Sequence, residues 1–193
     1  MPRAFHPLAF AVMLAVLALA GCAAPGVRSS LPASTEGIEE FALDGRIAVK
    51  LDTRGYSANL KWRHQAQSDA LRLLSPLGTT IAQVEADADG ATLVGSDKKV
   101  YRSQNVEALT REVLGWDLPL KGLQHWVLGR PDPELPVAEA QRDARDRWTQ
   151  FTQNGWKIAY QAFAEDGPLP QRMTLVREGL RLRLLVDRWE IGG

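Results

Sequence analysis

The chain has 193 residues, and its 23 basic and 23 acidic side chains give a formal net charge of zero at pH 7. Balanced charge argues against a protein-wide field that would hold nucleic acid or a strongly charged substrate, so we expect no nucleic-acid partner. A single cysteine excludes an intramolecular disulfide and a cysteine-based metal site.

The N-terminal segment is typical of a cleaved signal peptide. Arg3 precedes an apolar stretch, residues 8–20, that is too short to span the roughly 30 Å hydrocarbon core of a membrane as a helix. The stretch runs into the tetrapeptide LAGC (19–22), which resembles the lipobox of bacterial lipoproteins. In such proteins the peptide is cut before the cysteine, which carries S-diacylglycerol and an N-acyl chain. We therefore expect residues 1–21 to be removed and Cys22 to be lipidated, the alternative being a buried free thiol.

The residue after the cysteine, Ala23, bears on the destination of the protein. An aspartate at that position commonly marks lipoproteins kept in the inner membrane, so we expect a lipid anchor in the outer membrane and a periplasm-facing protein. Residues 22–37, the lipidated cysteine and a stretch rich in Ala, Pro, Gly, Ser and Thr, are expected to act as a flexible tether about 20 Å from end to end. Residues 38–193 are then expected to form one domain.

Hydrophobic alternation predicts the first strands. Apolar residues at alternate positions between Phe41 and Leu51 predict a strand, which Arg54-Gly55 separates from a second alternating run between Tyr56 and Trp62. Together these runs predict a hairpin. Four further strands, separated by turn signals, predict an antiparallel meander and are expected at residues 70–75, 79–86, 91–94 and 99–102.

The period changes to that of a helix in the middle of the chain. Apolar residues recur at helical spacing from Val106 to Val113, between a candidate capping residue, Asn105, and Gly115. A second helix is predicted from Pro119, which suits a first turn, to Gly129. Its apolar residues fall on one face, as expected for a helix that packs against a core.

The C-terminal part returns to alternation. Three prolines exclude regular structure at 131–136, and residues 138–146 fit either a short helix or an exposed connection. Two hairpins are then predicted at Asn154-Gly155 and at Glu178-Gly179, each followed by an alternating strand. Strands, then helices, then strands, without an internal repeat, predict an α+β fold dominated by an antiparallel sheet.

Several segments, in this order and spacing, resemble the LolB family of outer-membrane lipoprotein receptors, nearly from end to end. They are FALDGRIAV (41–49), Trp62, SPLG (75–78), LGWDLP (114–119), WVLG (126–129), QNGWKIAY (153–160) and DRW (187–189). The resemblance implies an incomplete, strongly curved antiparallel β-barrel with short helices forming a lid over an apolar cavity. It also implies that the protein accepts triacylated lipoproteins from the periplasmic carrier LolA and inserts them into the outer membrane, with no cofactor.

Leu77 is a candidate for membrane insertion, because it occupies a Pro-Leu-Gly turn where polar residues are usual. Members of the family carry an exposed apolar residue on a protruding loop at this position, so the resemblance implies that Leu77 enters the membrane interface. The alternative is that Leu77 folds back onto the core. Six tryptophans supply large apolar area. The residues expected to line the acyl-chain cavity, with ordinary core packing as the alternative for each, are Leu60, Trp62, Trp116, Leu118, Leu123 and Trp126.

A late strand carries a candidate basic stripe formed by Arg181 and Arg183, with Arg188 nearby. The stripe fits a solvated sheet face, and it also fits a docking surface for an acidic rim of the carrier.

No catalytic or metal-binding arrangement is expected. His64 and His125 show neither ligand spacing nor a Ser-His-Asp order, although paired carboxylates need not be adjacent in a chain. We therefore expect a lipid-binding chaperone and not an enzyme. The leading alternative is a structural or envelope-assembly lipoprotein that binds a protein partner without a lipid cavity, and a periplasmic hydrolase is a distant third.

Overall fold

The computed structural model describes residues 32–165 and 167–192. The predicted signal peptide, the lipobox with Cys22 and most of the predicted tether lie outside these residues. Residues 32–37 form neither helix nor strand, and Ile38 is buried.

A single antiparallel sheet of eleven strands dominates the described part of the chain. The strands are β1 (Phe41–Leu51), β2 (Arg54–Gln65), β3 (Ser68–Leu74), β4 (Thr80–Asp87), β5 (Gly90–Gly95), β6 (Val100–Ser103), β7 (Ala138–Arg142), β8 (Trp148–Gln153), β9 (Trp156–Phe163), β10 (Pro170–Arg177) and β11 (Leu180–Ile191). Their spatial order is β6-β5-β4-β3-β2-β1-β11-β10-β9-β8-β7. The sheet is open, with β6 and β7 at its edges, and the first and last strands pair at its centre.

Two helices follow β6, as predicted. The first, α1 (Val106–Leu114), is capped by Asn105, whose Oδ1 accepts a hydrogen bond from the Ala108 N–H at 2.8 Å. Gly115 ends this helix with a left-handed φ of 81°, so both predicted boundary signals are confirmed.

The second helix, α2 (Leu120–Trp126), ends three residues before the predicted limit at Gly129. The N–H groups of Leu128 and Gly129 bond to carbonyls three residues back, which tightens the chain into a turn.

The strands predicted from alternation place apolar side chains on the inner face and polar side chains on the outer face. In β1, for example, Ile47 and Val49 are buried whereas Arg46 and Lys50 are exposed. The inner face and the two helices enclose one hydrophobic core.

The six strands predicted before the helices agree with the structure to within about three residues at each end. The Asn154-Gly155 hairpin is also confirmed, with φ values of 49° and 73° that are typical of a two-residue turn of type I′.

The prediction of a helix or an exposed connection at residues 138–146 was wrong. The chain forms β7 there, an edge strand whose five residues are all exposed, followed by a turn. A strand with no buried face has no apolar alternation to reveal it. Its partner strand provides contacts instead, and the Arg142 guanidinium lies 3.7 Å from the centre of the Trp148 ring.

Gly122 allows the Trp126 side chain to pack against its own helix. A Cβ at Gly122 would lie 2.4 Å from Cζ2 of Trp126, which is only 1% exposed. We expect Gly122→Ala to lower the free energy of unfolding by about 1–3 kcal/mol, although alanine is the better helix former. Urea unfolding would measure the loss, with Lys121→Ala on the exposed side of α2 as the control. Equal stability of the two variants would contradict this account of Gly122.

Candidate functional site

A small cavity of about 20 Å³ lies between the inner face of the sheet and the helical segment. Only apolar side chains line it. Those from the sheet are Ile47, Leu60, Leu71, Leu73, Val84, Leu175, Leu182 and Leu184. Those from the helical segment are Leu114, Trp116, Leu118 and Leu123. A cavity of this size holds about one water molecule, and its lining offers water no polar partner.

Four of the six residues expected at an acyl-chain cavity lie on this wall: Leu60, Trp116, Leu118 and Leu123. Trp62 and Trp126 are buried elsewhere in the core. A buried indole N–H requires an acceptor, and each of these two rings is oriented by one. Nε1 of Trp62 donates to Asp69 at 2.7 Å, and Nε1 of Trp126 donates to Gln153 at 2.8 Å.

Asp69, which the sequence analysis did not single out, joins α2 to the sheet. Its Oδ1 accepts from Trp62 and lies 2.9 Å from Nδ1 of His64, and its Oδ2 accepts from Nε2 of Gln124 at 2.5 Å. Since Gln124 belongs to α2 and Asp69 to β3, this buried carboxylate is one of the polar contacts that hold the helix against the sheet.

A second polar contact involves Asp117, which lies between α1 and α2. Its carboxylate pairs with Arg111 of α1, with an Nε–Oδ1 distance of 2.5 Å, and with Arg177 at the end of β10. The Arg177 guanidinium also lies over the Trp156 ring. Hydrogen bonds from Arg111, together with the charges of Arg111 and Arg177, hold the pKa of Asp117 below its ordinary value. The segment between the helices is thus tied to the sheet by an ion pair.

We expect Asp117→Asn to weaken this tie in a pH-dependent way. A carboxylate whose pKa is lowered by folding stabilises the folded state above its unfolded pKa of about 3.9, and the contribution is lost as the pH falls through the lower folded value. At pH 7 the variant should be about 1–2 kcal/mol less stable, as expected for a partly exposed charge-assisted pair. Urea unfolding between pH 7 and low pH would measure the free energy of unfolding of both proteins, and the difference between them should shrink below about pH 4. If this difference stayed constant with pH, the charge of the carboxylate would be excluded as its source.

Leu77 lies at the tip of the β3–β4 turn and is 95% exposed. The N–H of Gly78 donates to the Ser75 carbonyl at 2.9 Å, and the N–H of Thr79 donates to the Ser75 hydroxyl at 3.1 Å. The turn therefore satisfies its own backbone while it presents Leu77 to solvent, so Leu77 does not fold back onto the core.

The structure separates Arg188 from the other two arginines of the candidate basic stripe. Arg181 and Arg183 are exposed and have no acidic partner within 4 Å among the described residues. Arg188 instead pairs with Asp44 at 2.5 Å and lies 3.4 Å from Glu190. Arg188 is therefore neutralised locally and does not extend the stripe.

The two histidines of the sheet and helices lie apart from any metal-binding arrangement. His64 contacts Asp69, and Nε2 of His125 lies 3.9 Å from the Asp132 carboxylate. Burial lowers the pKa of His125, which favours its neutral form. Within residues 32–165 and 167–192, no group of three His, Cys, Asp or Glu side chains is placed to hold a metal ion. Among the same residues, no helix is long and apolar enough to cross a membrane.

An open antiparallel sheet around an apolar cavity, with two helices across it, defines the class as a single-sheet α+β domain. Comparisons with known proteins narrow the class to a family. Residues 39–189 match the family model described as "Outer membrane lipoprotein LolB". The outer-membrane lipoprotein LolB of Nitrosomonas europaea is 38% identical over 189 residues, covering 91% of this chain and 89% of that protein. The outer-membrane lipoprotein LolB of Chromobacterium violaceum is 38% identical over 176 residues, covering 90% of this chain and 94% of that protein.

The chain belongs to the outer-membrane lipoprotein LolB family, whose members are lipoprotein-localisation factors and not enzymes. Among solved structures, a LolA superfamily protein from Nitrosomonas europaea is similar with a TM-score of 0.48 and 8% identity, covering 81% of this chain and 88% of that one.

Proposed function

We propose that this protein accepts triacylated lipoproteins from the periplasmic carrier LolA and inserts them into the outer membrane. The acyl chains would be held between the sheet and the helical segment. The observation that carries the proposal is the interior itself, whose lining is apolar on the sheet side and on the helix side alike. Membership of the LolB family supports the same role.

Acyl chains require the helices to move away from the sheet. The present cavity of about 20 Å³ has room for about one water molecule and none for an acyl chain. Opening would break the Asp117–Arg177 ion pair and the Gln124–Asp69 hydrogen bond. The helices would then act as the lid that the resemblance implies.

The C-terminal end of α2 is the natural hinge of this motion. Nε1 of Trp126 is bound by Gln153, and the Tyr160 hydroxyl donates to the Trp126 carbonyl at 2.7 Å. Both bonds are buried, so breaking them costs more than breaking the partly exposed contacts of Asp117. We infer that α1, the segment between the helices and α2 as far as Gln124 swing, while the end of α2 at Trp126 stays fixed.

Free energy explains why a lipoprotein needs such a receptor. Burial of lipid is worth roughly 0.8 kcal/mol per methylene, so three chains with about 45 carbons give on the order of 35 kcal/mol. A relay between apolar interiors avoids the aqueous state. The sequence contains no G-x-x-x-x-G-K-[ST] motif, so we propose that each handover proceeds downhill in affinity and without nucleotide.

The membrane side of the proposal rests on Cys22 and Leu77. Cys22 would carry the lipid that anchors the protein to the periplasmic face of the outer membrane, and Leu77 would enter the interface to help release the client. Such a protein needs no cofactor beyond its own covalent lipid, and a one-to-one handover needs only a monomer. The side chains proposed to contact the acyl chains are those predicted from the sequence: Leu60, Trp62, Trp116, Leu118, Leu123 and Trp126.

One observation favours the alternative of a structural or envelope-assembly lipoprotein without a lipid site. The interior is nearly filled, as expected for an ordinary packed core. The two functions differ in whether the helices open, and a transfer experiment separates them.

The test is transfer of a radiolabelled triacylated lipoprotein from loaded LolA to a form of this protein that lacks Cys22, without nucleotide and without membranes. We expect the label to co-purify with this protein. A client that lacks acyl chains is the control and should not transfer. Retention of the acylated client on LolA, with both proteins shown to be folded, would favour the structural alternative.

A further inference from the structure

The turn that carries Leu77 lies at the same end of the sheet as a group of exposed cations. Strand register establishes the placement. In the centre of the sheet Lys50 pairs with Arg181 of β11 on one side and with Gly55 of β2 on the other. The β3–β4 turn extends past Asn59 towards the same end of β2, because Leu74 pairs with Asn59 and β3 runs antiparallel to β2.

The cations at this end lack compensation by acidic groups on the outer face. Lys50 and Arg181 are direct cross-strand neighbours, a like-charge arrangement that destabilises a sheet. Arg183 follows on the same face, and Lys157 of β9 lies level with Arg181, because both residues pair with Val176 of β10. None of these four exposed side chains has an acidic partner within 4 Å among the described residues.

The middle and the opposite end of the outer face are different. Asp187 is paired with Arg46 in the middle, and Asp44 is paired with Lys61 and Arg188 further towards the opposite end. An excess of unpaired cations at one end of a chain with zero net charge is therefore a local feature.

Three of the cations share one space. Lys50, Arg181 and Arg183 line an open depression of about 490 Å³ on the outer face. The nearest carboxylates in sequence, Asp52 and Glu178, lie in the adjoining turns.

We propose that this end of the outer face docks on a membrane surface, with the cationic patch formed by Lys50, Lys157, Arg181 and Arg183 contacting anionic phospholipid headgroups. The inference rests on the proposed function, because it takes Leu77 to enter the same membrane. A guanidinium group can donate two parallel hydrogen bonds to the oxygens of one phosphate. Each basic side chain near an anionic membrane surface strengthens binding of the protein to that membrane about five-fold.

A membrane fits this end better than an acidic protein surface does. An almost fully exposed leucine at the same end of the sheet as unpaired cations matches the boundary between acyl chains and charged headgroups. An acidic partner would use the cations and leave Leu77 without a role.

The test uses the full-length protein, purified from membranes and reconstituted into phosphatidylethanolamine–phosphatidylcholine vesicles with or without phosphatidylglycerol. A fluorophore on Thr53→Cys, in the β1–β2 turn, reports contact through quenching by brominated acyl chains. Protein that retains Thr53 corrects for any reaction at Cys22. We expect phosphatidylglycerol to increase quenching and salt to reverse the increase.

In the same vesicles Arg181→Gln/Arg183→Gln should lower the equilibrium constant for contact about 25-fold, five-fold for each cation. Arg181→Lys/Arg183→Lys should retain contact because the charge remains. The matched control is Arg63→Gln/Arg72→Gln, which removes two exposed cations near the opposite end, where Arg63 pairs with Ala42 and Arg72 lies level with Asp44. It should retain contact.

The proposal would be overturned if quenching did not depend on phosphatidylglycerol. It would also be overturned if quenching were equal in Arg181→Gln/Arg183→Gln and in Arg63→Gln/Arg72→Gln. A loss of transfer from LolA in Arg181→Gln/Arg183→Gln with vesicle contact unchanged would overturn it as well, and would assign the patch to an acidic protein. Transfer of the acylated client from LolA is measured without vesicles, whereas contact of the cationic patch is measured with them. A protein that does not accept clients is therefore distinguished from a patch that does not bind anionic lipid.

Discussion

Leu77→Asp is expected to leave acceptance of acylated lipoproteins unchanged and to reduce their delivery to membranes about ten-fold or more. The turn that holds Leu77 is stabilised by its own backbone and by Ser75, and the leucine side chain is 95% exposed, so stability should not change. The penalty arises at the membrane. At the centre of the bilayer an aspartate is several kcal/mol less favourable than a leucine, and a part of this penalty applies at the interface. Radiolabelled client recovered in vesicles would measure delivery.

Leu77→Met is the matched control, since it keeps an apolar side chain of similar size at the turn. Normal delivery by a folded Leu77→Asp protein would contradict the proposed insertion of this residue. Loss of acceptance from LolA in that variant would place Leu77 in a contact with the carrier instead.

Gln153→Leu is expected to cause the largest loss of stability among the variants considered, about 3–5 kcal/mol. Gln153 is 1% exposed and forms four hydrogen bonds through its side chain. Oε1 accepts from Trp126 Nε1 and from the Asp132 N–H, whereas Nε2 donates to the carbonyls of Asp132 and Leu135. A leucine would fill the volume and leave buried donors and acceptors without partners.

Urea unfolding would measure the loss, and hydrogen exchange should show lower protection at the Asp132 amide. Gln161→Leu is the control, because Gln161 is an exposed glutamine on the neighbouring strand β9 and should change stability by less than about 1 kcal/mol. A Gln153→Leu protein as stable as this control would show that the four bonds contribute little.

The sequence predicted the elements whose signals are local. Alternation located the strands between Phe41 and Arg102, and Asn105 and Gly115 marked the limits of α1, because capping and left-handed positions restrict residue type. The pairing of β1 with β11 has no such signal. The two strands are at opposite ends of the domain sequence, and they meet only at the centre of the assembled sheet.

The candidate site was predictable in its hydrophobic composition but not in its polar contacts. Asp117 and Arg177 are 60 residues apart, so no local spacing indicates their ion pair. The orientations of Trp62 and Trp126 were likewise not predictable from the sequence. The size of these side chains predicts burial, whereas the direction of each ring is set by a hydrogen bond, from Trp62 to Asp69 and from Trp126 to Gln153. Cavity volume depends on packing between distant segments and is likewise absent from the sequence pattern.

The most direct measurement of the central claim is photocrosslinking from the cavity wall to the acyl chains of a client. Benzoylphenylalanine would replace Leu73, a partly buried cavity residue, or its neighbour Arg72 on the exposed outer face, in the full-length protein. The account predicts a crosslink to acylated lipoprotein from position 73, none from position 72, and none with an unacylated client. Equal crosslinking from both positions, or none from position 73 while transfer proceeds, would contradict binding of acyl chains in this interior.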